Sequence, residues 1–113
     1  PGPYTFLLEA TREVPKRLQN PKRRTIGIRV PDNAIVSMLL AELGEPIMSS
    51  TLLLPGESAT PTDPQEIKEK LDHLVDLVID GGTGGIEPSS IVDLSSGTPV
   101  IVRRGKGDVS AFE

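Results

Sequence analysis

The sequence predicts an α/β domain built on a mixed sheet, and three observations lead there. First, "TIGIRV" (25–30) alternates Ile26, Ile28 and Val30 with Thr25, Gly27 and Arg29, the period of a half-buried strand. Second, Val36, Leu39, Leu40 and Leu43 recur at helical spacing. Third, two strand-like runs near the end, 90–95 and 98–104, are joined by "SSGT" (95–98), a hairpin turn that makes them antiparallel. Strands and helices mix without strict βαβ alternation, which favours a mixed sheet over a parallel one.

The elements follow in order. "YTFLLEA" (4–10) is rich in β-formers and reads as a strand. "VPKRLQ" (14–19) fits one or two helical turns, with Pro15 tolerated in the first. Pro31 ends the 25–30 strand. Asp32 or Asn33 can cap a helix over 33–43, and Gly44 suits the position after its last turn. "PIMSSTLL" (46–53) reads as a strand. "PGESATPTDP" (55–64) is a loop by composition. Thr62 with Gln65, or Asp63 with Glu66, caps a helix over 64–75 that has Pro64 at its first position. "DLVIDGG" (76–82) reads as a further short strand.

Composition narrows the chemistry. The chain has 113 residues, 36% hydrophobic and only 3% aromatic, so its core is aliphatic and thin. Without cysteine there is no disulfide, thiolate zinc site or cysteine nucleophile, which fits a cytoplasmic setting. The single His73 excludes any site that needs two histidines, and it reads as a surface helix residue. No metal cluster and no paired carboxylates for acid–base work are visible. No apolar run approaches a membrane span, so no membrane partner is expected. A net charge of −4 argues against bulk attraction to nucleic acid. The chain opens on "PGPYT" with no initiator Met and enters a strand at once, which predicts a missing N-terminal portion.

One stretch resists a purely structural reading. "EPIMSSTLLLPGE" (45–57) sets Ser49, Ser50 and Thr51 inside an apolar run. A buried hydroxyl without a partner costs roughly 1–3 kcal/mol, so three in a row ask for a purpose. "DGGTGG" (80–85) follows a strand-like run but lacks the Lys-Ser/Thr pair and the helix of a phosphate loop, and reads as a turn. The stretch 12–24 gathers Arg12, Lys16, Arg17, Lys22, Arg23 and Arg24. Such a cluster can neutralise phosphates, though no aromatic residue is interleaved to stack bases. Arg29, on the polar side of its strand, is either a surface residue or a clamp for a carboxylate or phosphate.

Taken together, "PGPYTF", "TIGIRVPDN", "GEPIMSSTLLLPGE", "VIDGG" and "PSSIVD" resemble the YrdC/YciO family, whose strings run PGPxT, (L/I)xxRxP, PxxSTSANxSG, DGG and PSTIVD. The order matches along essentially the whole chain, and the wording is most similar to the YciO branch. The resemblance implies a YrdC/RibB-like twisted mixed sheet with flanking helices. Residues 1–113 would form the C-terminal portion of that domain, with its N-terminal portion absent.

The resemblance also implies chemistry. Enzymes of the YrdC type make threonylcarbamoyl-adenylate from L-threonine, bicarbonate and ATP for tRNA modification, and the family is described as binding double-stranded RNA. Matched residue by residue, Arg29, Ser49 and Ser89 would contact threonine, and Thr25, Thr51 and Arg103 the nucleotide. No tightly bound cofactor is implied; ATP, with Mg, would be a substrate. Lys16, Arg17, Lys22, Arg23 and Arg24 are the residues available to RNA. Two departures qualify the match. Leu53 stands where the family has Asn, which removes a side-chain donor and acceptor. The family's phosphate-handling Lys/Arg motif belongs to the N-terminal portion, so the isolated chain is expected to be inactive as a synthase. The favoured reading is a ligand-binding domain with nucleotide and RNA affinity. The alternatives are an active synthase and a non-catalytic RNA-binding module.

Overall fold

The computed structural model describes residues Pro1–Glu113. A four-stranded sheet organises the part made of Pro1–Ala34 and Glu87–Glu113. Its strands are β1 (Tyr4–Glu9), β2 (Thr25–Ile28), β3 (Ser90–Asp93) and β4 (Val100–Arg103), in the order β2-β1-β3-β4. β1 pairs antiparallel with β2 and parallel with β3, and β3 pairs antiparallel with β4. The sheet is therefore mixed, as the sequence predicts, and the 95–98 turn joins β3 to β4, with Gly97 taking the positive φ (86°) it needs there.

The pleat gives the sheet two unlike faces. On one, Tyr4, Phe6 and Phe112 form an aromatic cluster with ring centroids 5.8–6.4 Å apart. Such pairs add about 0.5–1.5 kcal/mol each beyond their burial. On the other lie Thr5, Leu7 and Gly27; a Cβ on Gly27 would sit 3.5 Å from both Thr5 and Leu7. Val92 and Ser90 are completely buried. The C-terminal stretch crosses the start of β3 so closely that a Cβ on Gly105 would fall 2.3 Å from the Pro88 carbonyl oxygen, and one on Gly107 2.5 Å from the Tyr4 ring.

The second part, Ile35–Ile86, carries most of α1 (Ala34–Leu43) and all of α2 (Pro64–Leu71). Gly44 follows α1 with φ 74°, and its N–H donates to the Leu40 carbonyl, the termination the sequence predicts. Asp63 caps α2 by accepting from the Gln65 N–H, with Pro64 in the first turn. α2 ends at Leu71, earlier than predicted, and relaxes into a turn in which Leu74 and Val75 donate to the Leu71 carbonyl.

Two predicted strands are absent. Residues 46–53 and 76–82 form neither strand nor helix. Both are rich in β-formers, but a strand exists only when another strand takes up its backbone groups, and neither run pairs with a strand in this chain. Met48, Leu53, Leu77 and Ile79 are accordingly exposed. The 80–85 stretch is an irregular turn, with Gly82 at φ 90° donating to the Asp80 carboxylate.

Candidate functional site

The segment before β3 is fixed from several sides. Ser90 donates its N–H to the Pro3 carbonyl and its hydroxyl to the Gly107 carbonyl (2.6 Å), while the Gly105 N–H donates to the Ser90 hydroxyl. Lys106 N–H donates to the Pro88 carbonyl. Ser89 lies between these anchors. Its hydroxyl is 2.8 Å from the Thr5 hydroxyl, although the two residues are 84 positions apart. Arg103 then closes the group: its Nε donates to the Ser89 carbonyl at 2.9 Å and its Nη2 to the Ser89 hydroxyl at 3.2 Å.

A β-bulge makes that grip available. Val92 pairs with Ile101, but Ile91 pairs with Arg103, so Val102 is the extra residue. An unbroken ladder would set Val102 opposite Ile91 and turn Arg103 to the aromatic face. Arg103 is exposed, and its remaining guanidinium N–H groups are unspent.

Arg29 follows directly on Ile28, the last residue of β2, which pairs with Phe6. It is exposed and makes no hydrogen bond or ion pair within the chain. Thr25, at the other end of β2, is buried and pairs with Glu9. Thr25 and Arg29 are four positions apart along an extended run, roughly 13 Å. Ser49 and Thr51 belong to the Ile35–Ile86 part, in the irregular 46–53 segment, where both hydroxyl residues are exposed. Leu53 is 57% exposed, so it has not turned into a core.

The basic residues sit on the connection between β1 and β2, near the Thr25 end of the sheet. Lys16 and Arg17 lie in a short 3-10 turn (Lys16–Leu18). Asn20 then organises a tight turn, accepting from the Lys22 and Arg23 N–H groups through its side chain and from the Arg24 N–H through its carbonyl. Arg24 takes the left-handed conformation (φ 55°). Arg23 alone of this group is ion-paired, 3.6 Å from the Asp93 carboxylate. Hydrogen bonds from the hydroxyl and the N–H of Ser95, with the nearby Arg23 charge, hold that carboxyl below the usual aspartate range. Arg12, Lys16, Arg17, Lys22 and Arg24 are exposed without an acidic partner.

Three contributors escape the sequence reading. Thr5 looks like one more β-former in an apolar strand; only its place in the PGPYT string marks it. Gly105 and Gly107 read as loop composition, and the close approach they permit is nonlocal.

A mixed α/β sheet in which Arg103 grips Ser89 beside the Thr5 hydroxyl is the class these features define. The chain belongs to the Sua5/YciO/YrdC family: the family profile Sua5_yciO_yrdC, described as telomere recombination, matches residues 1–105. It is similar to YciO of Escherichia coli, with 54% identity over 99% of this chain and 54% of that protein. The crystal structure of E. coli YciO superposes with a TM-score of 0.92, covering 100% of this chain and 55% of that one at 53% identity. A Sua5 structure from P. abyssi superposes with a TM-score of 0.81 at 28% identity, covering 94% of this chain and 32% of that one. Threonylcarbamoyl-AMP synthase of Mus musculus is 36% identical over 84% of this chain and 35% of its own length. The chain thus spans about half the length of E. coli YciO and of a relative from Haemophilus influenzae. No helix is long and apolar enough to cross a membrane.

Proposed function

We propose that this domain binds an amino-acid carboxylate of the L-threonine kind together with ATP, using the face of the sheet that carries Thr5. Arg29 and Ser89 would take the carboxylate, and the unspent donors of Arg103 the nucleotide phosphates. The observation that carries this is the Thr5–Ser89–Arg103 group, held rigidly by its surroundings while Arg29, one residue past β2, has no internal partner. An exposed guanidinium and prepaid hydroxyl positions are what a small carboxylate requires, since little ordering is left to the moment of binding. Kinship with proteins named threonylcarbamoyl-AMP synthase supports threonine and ATP as the ligands to test. The family resemblance alone supports Ser49 beside threonine, and Thr25 and Thr51 beside ATP. An NMR titration of the chain with L-threonine, then with ATP and Mg, tests the reading. Shifts concentrated at Arg29, Ser89 and Arg103 are expected; shifts elsewhere only would reject it.

RNA binding is a second reading, favoured by the five unpaired cations on the β1–β2 connection, Arg12, Lys16, Arg17, Lys22 and Arg24. It predicts affinity that falls with salt and persists without ATP.

A further inference from the structure

We propose that Thr5 and Arg103 are positioning residues that make Ser89 a hydrogen-bond donor to a ligand oxyanion, a proposal that rests on the carboxylate-binding reading above. A serine hydroxyl has one proton to give and two lone pairs to fill. Arg103 can only donate, so its Nη2 occupies one lone pair of the Ser89 oxygen. That leaves one lone pair and one proton for two neighbours, Thr5 and whatever binds.

Without a ligand, the Thr5–Ser89 bond can run in either direction. A bound carboxylate removes the choice. An anionic oxygen is a far stronger acceptor than the Thr5 hydroxyl, so Ser89 turns its proton to the ligand and Thr5 donates in its place. The chain of donors then runs from Thr5 to Ser89 to ligand, with Arg103 polarising the middle hydroxyl. Both lone pairs of Ser89 are filled in this state. A ligand presenting an N–H at the same place must instead reverse the Thr5–Ser89 bond, so that Ser89 donates to Thr5 and the aligned chain of donors is lost. The carbonyl grip by Nε keeps the Ser89 backbone from moving to escape this arrangement. The bulge at Val102 matters for the same reason, because it sets Arg103 on the face where Ser89 can be reached.

The test compares L-threonine with L-threoninamide by calorimetry in the 113-residue chain and in Thr5→Val and Thr5→Ser variants. Thr5→Val keeps the shape but removes the donor, freeing a lone pair on Ser89. Preference for the carboxylate over the amide should then fall by about tenfold, equivalent to about 1.4 kcal/mol. Thr5→Ser restores the hydroxyl and should restore the preference, which a merely structural role for Thr5 does not predict. A parallel measurement follows proton exchange at Arg103 Nε–H, expected to be slowed in the free protein. Unchanged preference in Thr5→Val, or unprotected Arg103 Nε–H, overturns the proposal while leaving carboxylate binding intact. Failure of the wild-type chain to bind either compound, with Arg103 protected, refutes the binding reading and the proposal with it.

Discussion

Arg103 holds Ser89 at two points, its carbonyl at 2.9 Å and its hydroxyl at 3.2 Å, across the antiparallel β3–β4 pair. A residue expected from family resemblance to serve a nucleotide is thus also committed to the residue expected to serve threonine. The two expected subsites are joined through one guanidinium, whose planar fork can reach both Ser89 atoms and still offer donors outward.

The closeness of the C-terminal stretch to this segment gives the first prediction. Gly105→Ala would place a methyl 2.3 Å from the Pro88 carbonyl oxygen, and backbone cannot give way as a flexible side chain can. The crossing must move, loosening the bonds to Ser90 and Pro88. Destabilisation of about 1–3 kcal/mol is expected, read from the urea midpoint. Gly85→Ala, with open space around it, should change the midpoint by no more than about 0.5 kcal/mol.

Acid sensitivity follows from Asp93. Its folded-state proton affinity is lowered, first by the Ser95 hydroxyl and N–H and then by Arg23. A carboxyl shifted this way stabilises the fold above the unfolded aspartate value, near 4, and loses that contribution as pH falls through the lower folded value. Asp108, hydrogen-bonded by Ser110, is shifted in the same direction. Asp93→Asn should therefore lose less stability than wild type between pH 7 and 3, with the remainder partly removed by adding Asp108→Asn. Equal losses in all three proteins would contradict the assignment.

Much of the sheet is legible in sequence because its signals are local: alternation in 25–30, the Gly97 turn, the Asp63 cap with Pro64. The runs 46–53 and 76–82 were not, since β-propensity describes fitness for a ladder and does not supply the neighbouring strand. The candidate site divides the same way. Arg29 and Ser89 stand out through motif strings, whereas the Thr5–Ser89 contact spans most of the chain and the Val102 bulge has no composition of its own.

The unpaired cations predict a salt signature. If RNA docks on the β1–β2 connection, Lys22→Ala and Arg24→Ala should each lower the slope of log affinity against log salt by about 0.7–0.9. Arg23→Ala should lower it less, because Arg23 already faces Asp93. Fluorescence anisotropy with a short duplex RNA at several salt concentrations measures this, and equal effects from all three would remove Arg23 from its place beside Asp93.

Leu53 offers a gain-of-function test. It is exposed, so Leu53→Asn should leave stability within about 0.5 kcal/mol. Restoring the family's donor and acceptor should tighten ATP binding by roughly 5- to 150-fold, the equivalent of about 1–3 kcal/mol. Unchanged or weaker ATP affinity at preserved stability would contradict a ligand role for this position.

The central claim is that the domain binds a small carboxylate through Arg29. Calorimetric titration of wild type and Arg29→Ala with L-threonine tests it most directly. The account predicts saturable binding in wild type and a loss of about 10- to 150-fold in Arg29→Ala, the range of a charge-assisted hydrogen bond worth about 1.5–3 kcal/mol, with the urea midpoint unmoved. Equal affinity in the two proteins, or no binding by a folded wild-type chain, would contradict it.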